Sequence, residues 1–277
     1  MLLTAGFAGS AWAMPACDLA VSRVDSLPIS VDPFEARPRA APVSVEVRND
    51  SEEECAGILS LADAIGGSPD RIVRSGVGLS FRERASTVGG GAGSLAARDI
   101  RVPARSSRSF TFAPVLTIDG VPSRGPRRFE LSARVQTPAS PDAAETGFDL
   151  NIDVPASTRV TVAGLPADRT IHLGDLSQGG QGRATLYMQS NGPYMVSVRS
   201  MNQGRMVHQT DPGLPSIDYQ LMFDGRASSL AAPVQVFRDS QTPMLGDQSV
   251  LLFTAAAGIL AYAGTYKDVI EVEVSPY

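Results

Sequence analysis

Residues 184–199, ATLYMQSNGPYMVSVR, decide the fold class. Ala184, Leu186 and Met188 alternate with Thr185, Tyr187 and Gln189; Asn191-Gly192-Pro193 marks a turn; Tyr194, Val196 and Val198 then resume the apolar face. A period of two on both sides of a turn predicts paired strands with one face in a core and one in water. The same pattern recurs at Tyr219, Leu221 and Phe223, closed by Asp224-Gly225, and at Ile270, Val272 and Val274, which alternate with Glu271 and Glu273. No long window holds a helical period, so the chain reads as all-β.

The composition agrees. The 277 residues are 43% hydrophobic and 6% aromatic, with 26 Gly and 20 Pro, a balance that favours strands joined by many turns. Such a length supports one or two domains with real cores. The net charge, 24 minus 29, is −5. Without a basic block there is no electrostatic footprint for nucleic acid, and no apolar run reaches the roughly 20 residues of a membrane span.

The first half repeats the landmarks of the second. Val43, Val45 and Val47 before Arg48-Asn49-Asp50 correspond to Ala184, Leu186 and Met188; Leu79 and Phe81 correspond to Leu221 and Phe223; Phe148, Leu150 and Ile152 correspond to the final strand. The offsets are 141, 142 and 122 residues. They predict two immunoglobulin-like β-sandwich domains, 14–154 and 155–277, of related origin.

Residues 1–13, MLLTAGFAGSAWA, form an apolar run ending in small residues at Ala11 and Ala13, which reads as a signal peptide, possibly truncated because its basic n-region is missing. Export places Cys17 and Cys55 in an oxidising compartment, where a disulfide is expected; two free buried thiols are the alternative.

Reactive chemistry is sparse. Gly91-Ala92-Gly93-Ser94-Leu95-Ala96 spells the outline of a dinucleotide-binding turn, but its Arg-rich, turn-like flanks favour a plain loop. His172 and His208 have no ligand cluster at metal spacing, and no nucleophile elbow is present. Asn49-Asp50-Ser51 is a glycosylation sequon by spelling alone, and Glu52-Glu53-Glu54 reads as a solvated edge. Catalytic residues, metal and cofactor are therefore expected to be none, and an enzyme is not expected.

Four segments carry a family resemblance: His172 to Leu176 (HLGDL), Leu186 to Asn202, Ile217 to Gly225 (IDYQLMFDG) and Ala263 to Val274 (AGTYKDVIEVEV). From about Ala156 onward the chain resembles a spore coat protein U domain, the subunit family of archaic chaperone-usher pili. The first half resembles it only dilutely. The resemblance implies that the C-terminal sandwich is incomplete, missing its last strand, and exposes a donor-strand groove. In it, Ile270, Val272 and Val274 would form one wall, with Leu221 and Phe223 beneath. It implies a periplasmic chaperone, an outer-membrane usher and an adjacent pilin subunit as partners.

Only Met14, Pro15 and Ala16 separate the expected cleavage site from Cys17, too few residues for a donor strand. A chain that accepts a strand without giving one is expected at the pilus tip, exported through the periplasm to the cell surface, as a two-domain adhesin mediating surface attachment. Isolated apolar residues in turn-rich stretches, Phe34, Ile65, Leu95 and Val121, are candidates for adhesive loops; capping of the core is the other reading of them. The surface or receptor is unknown from sequence. A secreted structural coat or matrix protein not assembled by an usher is the alternative function, and an envelope enzyme a third.

Overall fold

The computed structural model describes residues 17–35, 38, 40–66, 70–82, 94–138, 140–165, 169–257 and 262–277. The expected signal peptide and the glycines at 89–93 lie outside them. The chain is all-β: among the described residues the one helical piece is a single 3-10 turn, Leu176–Gln178. It divides into two compact units, the first drawn from Met1–Val31, Arg37–Thr117 and Pro126–Asp153, the second from Asp32–Ala36, Ile118–Gly125 and Val154–Tyr277.

Unit 1 contains β1 (Leu19–Asp25), β2 (Ile29–Ser30), β3 (Val43–Asn49), β4 (Cys55–Asp63), β5 (Ile72–Arg74), β6 (Val77–Phe81), β7 (Ser94–Val102), β8 (Ser106–Phe112), β9 (Pro114–Ile118), β10 (Gly125–Thr137) and β11 (Ser140–Val154). One sheet runs β1-β3-β8, a second β2-β11-β10-β4-β7, and a small third β5-β6-β9. Alternation decides the faces: Val43, Val45 and Val47 of β3 are buried, as are Phe129 and Leu131 of β10 and Leu150 and Ile152 of β11. β2 adds to β11 in parallel, Ile29 opposite Ile152, and the Val31 amide donates to the Asp153 carbonyl at 2.9 Å.

Cys17 and Cys55 form a disulfide that ties the start of the described chain to β4. It closes a 38-residue span, for which the chain-entropy treatment gives about 4 kcal/mol. Reduction, or Cys55→Ser, is expected to lower the stability of unit 1 by about that amount in a urea titration while leaving the unit 2 transition in place. The sequon asparagine is also committed structurally. Asn49 is fully buried, and its Nδ2 donates to the carbonyls of Glu53, Val102 and Pro103 at 2.8–3.1 Å. The nitrogen that would carry a sugar holds the β3–β4 and β7–β8 turns together instead.

Unit 2 contains β12 (Thr158–Ala163), β13 (Gly180–Ser190), β14 (Tyr194–Ser200), β15 (Arg205–His208), β16 (Ile217–Phe223), β17 (Arg226–Ser228), β18 (Val234–Arg238), β19 (Asp247–Ala255), β20 (Tyr266–Lys267) and β21 (Ile270–Pro276). The larger sheet runs β12-β13-β19-β16-β15-β20 with β17 on β16, and the smaller runs β18-β14-β21. Leu186, Met188, Leu221, Leu251 and Phe253 from the first meet Tyr194, Val196 and Val198 from the second in one core. The Asn191-Gly192-Pro193 turn joins the two sheets. The Asn191 side chain accepts from the Ser157 amide and donates to the Pro155 carbonyl, both at 2.8 Å, so it also fixes the approach to β12.

Topology revises the internal match. β3, flanked by β1 and β8, corresponds to β13, flanked by β12 and β19; β4, flanked by β7 and β10, corresponds to β14, flanked by β18 and β21. The counterpart of β21 is therefore β10. The Phe148–Ile152 stretch that matches β21 in sequence lies in β11, which covers the outer edge of β10 and has no counterpart beside β21 among the described residues. Alternation with acidic residues marks any half-buried strand, so it cannot tell neighbouring strands apart.

Candidate functional site

The outer edge of β21 is the candidate site. Among the described residues β21 pairs along its whole length with β14 only, Val196 opposite Val274 and Val198 opposite Val272. The direction of its backbone groups follows from the anchors at its ends. The Val269 carbonyl accepts from the Met201 amide, and the Tyr277 amide donates to the Pro193 carbonyl, so odd-numbered residues face β14. By the period of two, the N–H and C=O groups of Ile270, Val272 and Val274 face the other way. There β12, the edge strand of the larger sheet, comes alongside. The Thr158 hydroxyl donates to the Val274 carbonyl at 2.9 Å, and no backbone ladder joins the two strands among the described residues.

The side chains tell the same story. The inward residues of β13, β14, β16 and β19 are buried, whereas Ile270, Val272 and Val274 are half-buried against the core. β18, the opposite edge of the same small sheet, has the same half-buried pattern. What distinguishes β21 is the unit 1 comparison, in which the corresponding edge is closed by β11. Val162, Leu165, Ile171 and Leu173, from β12 and the segment after it, are likewise packed on the core but only partly covered. Apolar side chains with outward-facing backbone groups outside any ladder between them are what an added strand requires.

Asp268 fixes where β21 begins. Its Oδ2 accepts from the Ser200 and Tyr219 hydroxyls, and its Oδ1 from the amides of Asn202 (3.1 Å) and Val269 (2.7 Å). One carboxylate thus joins the end of β14 and Tyr219 within β16 to the first residue before β21. Upstream, Gly264 has φ +146°, and a Cβ there would overlap the His208 imidazole. His208 is buried; its Nδ1 accepts from the Asp211 amide at 3.1 Å, which leaves Nε2 to donate to the Ala263 carbonyl at 3.3 Å. The Gly and the Asp of AGTYKD are therefore packing and anchoring positions. His172 is exposed, and no cluster of three metal-ligating side chains occurs among the described residues.

Two phenols are embedded beside this framework. Burial first, and the bond to Asp268 second, hold Tyr219 far above the ordinary tyrosine range; burial and the bond to Asp247 (2.7 Å) do the same for Tyr194. Both stay protonated in the folded chain where an unfolded tyrosine ionises, near pH 10. Their contribution is complete below that pH and declines as pH rises above it. In a titration followed at 295 nm with parallel circular dichroism, Tyr194 and Tyr219 should ionise only as strand structure is lost; ionisation near pH 10 with the fold intact would contradict this.

Several expected site residues lie elsewhere. Leu221 and Phe223 are buried on β16, separated from β12 by β13 and β19, so they belong to the closed core and not to the open edge. Leu95 is not in an adhesive loop: it is a buried residue of β7, because the strand starts at Ser94, directly after the glycines. A strand there also removes the dinucleotide reading, which needs a helix after the turn. Phe34 and Val121 are part of unit 2, and Arg159 of β12 stands over the Phe34 ring at 5.1 Å while pairing with Asp32 at 2.6 Å. Ile65, at 65% exposure, is the one candidate of the four that is exposed on unit 1.

No protein-family model and no curated protein sequence matches the chain. Solved structures do. A chain of the CsuC–CsuE chaperone–tip adhesion subunit pre-assembly complex, from archaic chaperone-usher Csu pili of Acinetobacter baumannii, is similar over 94% of this chain and 99% of its own, with TM-score 0.51 and 14% identity. CfaE, the adhesive subunit of CFA/I fimbria of enterotoxigenic Escherichia coli, is similar over 93% and 94%, with TM-score 0.37 and 9% identity. The first is a likeness of fold: this chain has the architecture found in a chaperone–adhesin assembly of a chaperone-usher pilus.

Proposed function

We propose that this chain is the tip subunit of an archaic chaperone-usher pilus, of the spore coat protein U type, in which unit 2 accepts a donor strand along β21 and unit 1 faces outward as the adhesin. The observation that carries this reading is the open edge of β21, with half-buried Ile270, Val272 and Val274, at the place where unit 1 has β11. The fold shared with the Csu assembly supports it. A periplasmic chaperone would lend a strand to this edge after export, the usher would receive the complex, and the adjacent pilin subunit would replace the chaperone's strand at the cell surface. The interaction needs backbone hydrogen bonds and apolar pockets and no catalytic group.

Expression of the full chain in the periplasm together with a chaperone of this pilus class should give a one-to-one complex. Val272→Arg, which places a charge in the middle of the acceptor edge, should abolish it while leaving unit 1 folded. Recovery of the parent chain as a stable monomer that ignores the chaperone would overturn the proposal.

A further inference from the structure

In unit 1 the edge strands β7 and β8 border a cleft of about 870 Å³, far larger than an inorganic anion needs and within the range of sites for small organic ligands. Two arginines cross it. Arg98 of β7 donates from Nη1 to the Thr111 carbonyl of β8, and Arg108 of β8 donates from Nη1 to the Arg101 carbonyl of β7, each at 3.3 Å. Both guanidiniums stand over the Phe110 ring, 5.7 and 5.6 Å from its centroid. A cation–π contact and one carbonyl bond apiece orient each planar group, with further N–H donors left to reach a ligand.

Their electrostatic situation differs from that of their neighbours. Arg23, Arg48, Arg74, Arg105, Arg128 and Arg134 of unit 1 are each paired with a carboxylate. Among the described residues, Arg98 and Arg108 are not. The other charges at the cleft are Asp99 and Arg101, the latter 3.9 Å from Glu54.

We infer that this cleft binds an acidic sugar, its carboxylate or sulfate oxygens held by Arg98 and Arg108 and its ring set against Ile58 and Pro138. Fixed, planar guanidiniums recognise such oxyanions bidentately. An acidic peptide added as a strand fits less well, because the Thr111 and Arg101 carbonyls are already taken by the two arginines. Nucleic acid is disfavoured by the net charge of −5 and by the lack of a longer basic stripe. The cleft lies wholly within unit 1, and its reading does not depend on how unit 2 is completed.

The test is binding of the purified full chain to oligouronides, to heparin-derived oligosaccharides, to single-stranded DNA and to neutral dextran, at low and high salt. One or both acidic sugars should bind, more weakly at high salt, and the one that binds distinguishes carboxylate from sulfate. Affinity should fall at least tenfold in R98Q/R108Q and at least threefold in the conservative R108K, which keeps the charge but loses the planar fork. The R105Q/R128Q control should bind as the parent does, with circular dichroism unchanged in all variants. The inference is overturned if neither acidic sugar binds, if R108K and R98Q/R108Q bind as tightly as the parent, or if DNA or dextran binds as tightly as the acidic sugars.

Discussion

An alternating apolar strand supplied to β21 raises the melting temperature of unit 2 by roughly 10 °C. The construction copies unit 1, where β10 turns back through Pro138 into β11: a short hairpin appended after Tyr277, followed by a copy of residues 148–154, lays Phe, Leu and Ile along the open edge. Three newly buried apolar side chains are worth about 2 kcal/mol each, and covering Ile270, Val272 and Val274 adds to this. The added strand also forms about four backbone hydrogen bonds at about 1 kcal/mol each, which brings the gain to roughly 10–13 kcal/mol, and ordering seven residues at about 1–1.5 kcal/mol each offsets about 7–10 of it. A net gain of about 3 kcal/mol corresponds to that shift in a domain of this size. A second appendage with Gln at the three apolar positions should leave the transition unmoved. Differential scanning calorimetry of the full chain distinguishes the outcomes, and an unchanged transition with the apolar strand would show that the β21 edge accepts none.

The second large effect is expected at Asp268. Replacement by Ala removes the acceptor for two hydroxyls and two amides at once, and Tyr219 is left buried without its carboxylate acceptor. Hydrogen bonds to a charged group are worth about 1.5–3 kcal/mol each, and an orphaned buried donor costs about 1–3 kcal/mol. With some rearrangement toward water, a loss of about 3 kcal/mol is expected for Asp268→Ala in urea unfolding of unit 2. Asp268→Asn retains one acceptor oxygen and should lose about half as much. Asp239→Ala, which releases only the exposed Tyr277 hydroxyl, should change stability by under about 0.5 kcal/mol. If Asp268→Ala behaved like Asp239→Ala, the carboxylate would not be the anchor of β21. Because β21 is also the proposed acceptor edge, the same substitution should weaken chaperone capture even where unit 2 stays folded.

Some of this organisation was readable in residue order. Strands such as β13, β14 and β16 announce themselves, because a side chain's face is set by its parity and the pattern survives without any partner. The importance of AGTYKD was visible as a motif, but not its chemistry. Asp268 reaches Ser200, 68 residues away, and Tyr219, 49 away, and separations of that size leave no local trace. The positions of three loop candidates were hidden for a related reason. Proximity to glycines and turns placed Leu95 in a loop, although the strand begins one residue earlier, and linear position placed Phe34 and Val121 in the first domain, although both are part of unit 2. Nothing in residue order sets Arg98 and Arg108 apart, because scattered arginines differ only once the fold pairs some with acids and sends two across a cleft.

The sequence by itself determined that the chain is all-β: alternation and turn chemistry are local, energetically short-ranged properties that each segment carries alone. It also held the resemblance that names Ile270, Val272 and Val274 together. Only the tertiary structure decided that these three share an open edge, that Leu221 and Phe223 do not, and that β11 closes in unit 1 the place that no described strand fills in unit 2. Which strand lies beside which depends on pairings between distant residues, and a strand's own residues read the same whether its neighbour is present or missing.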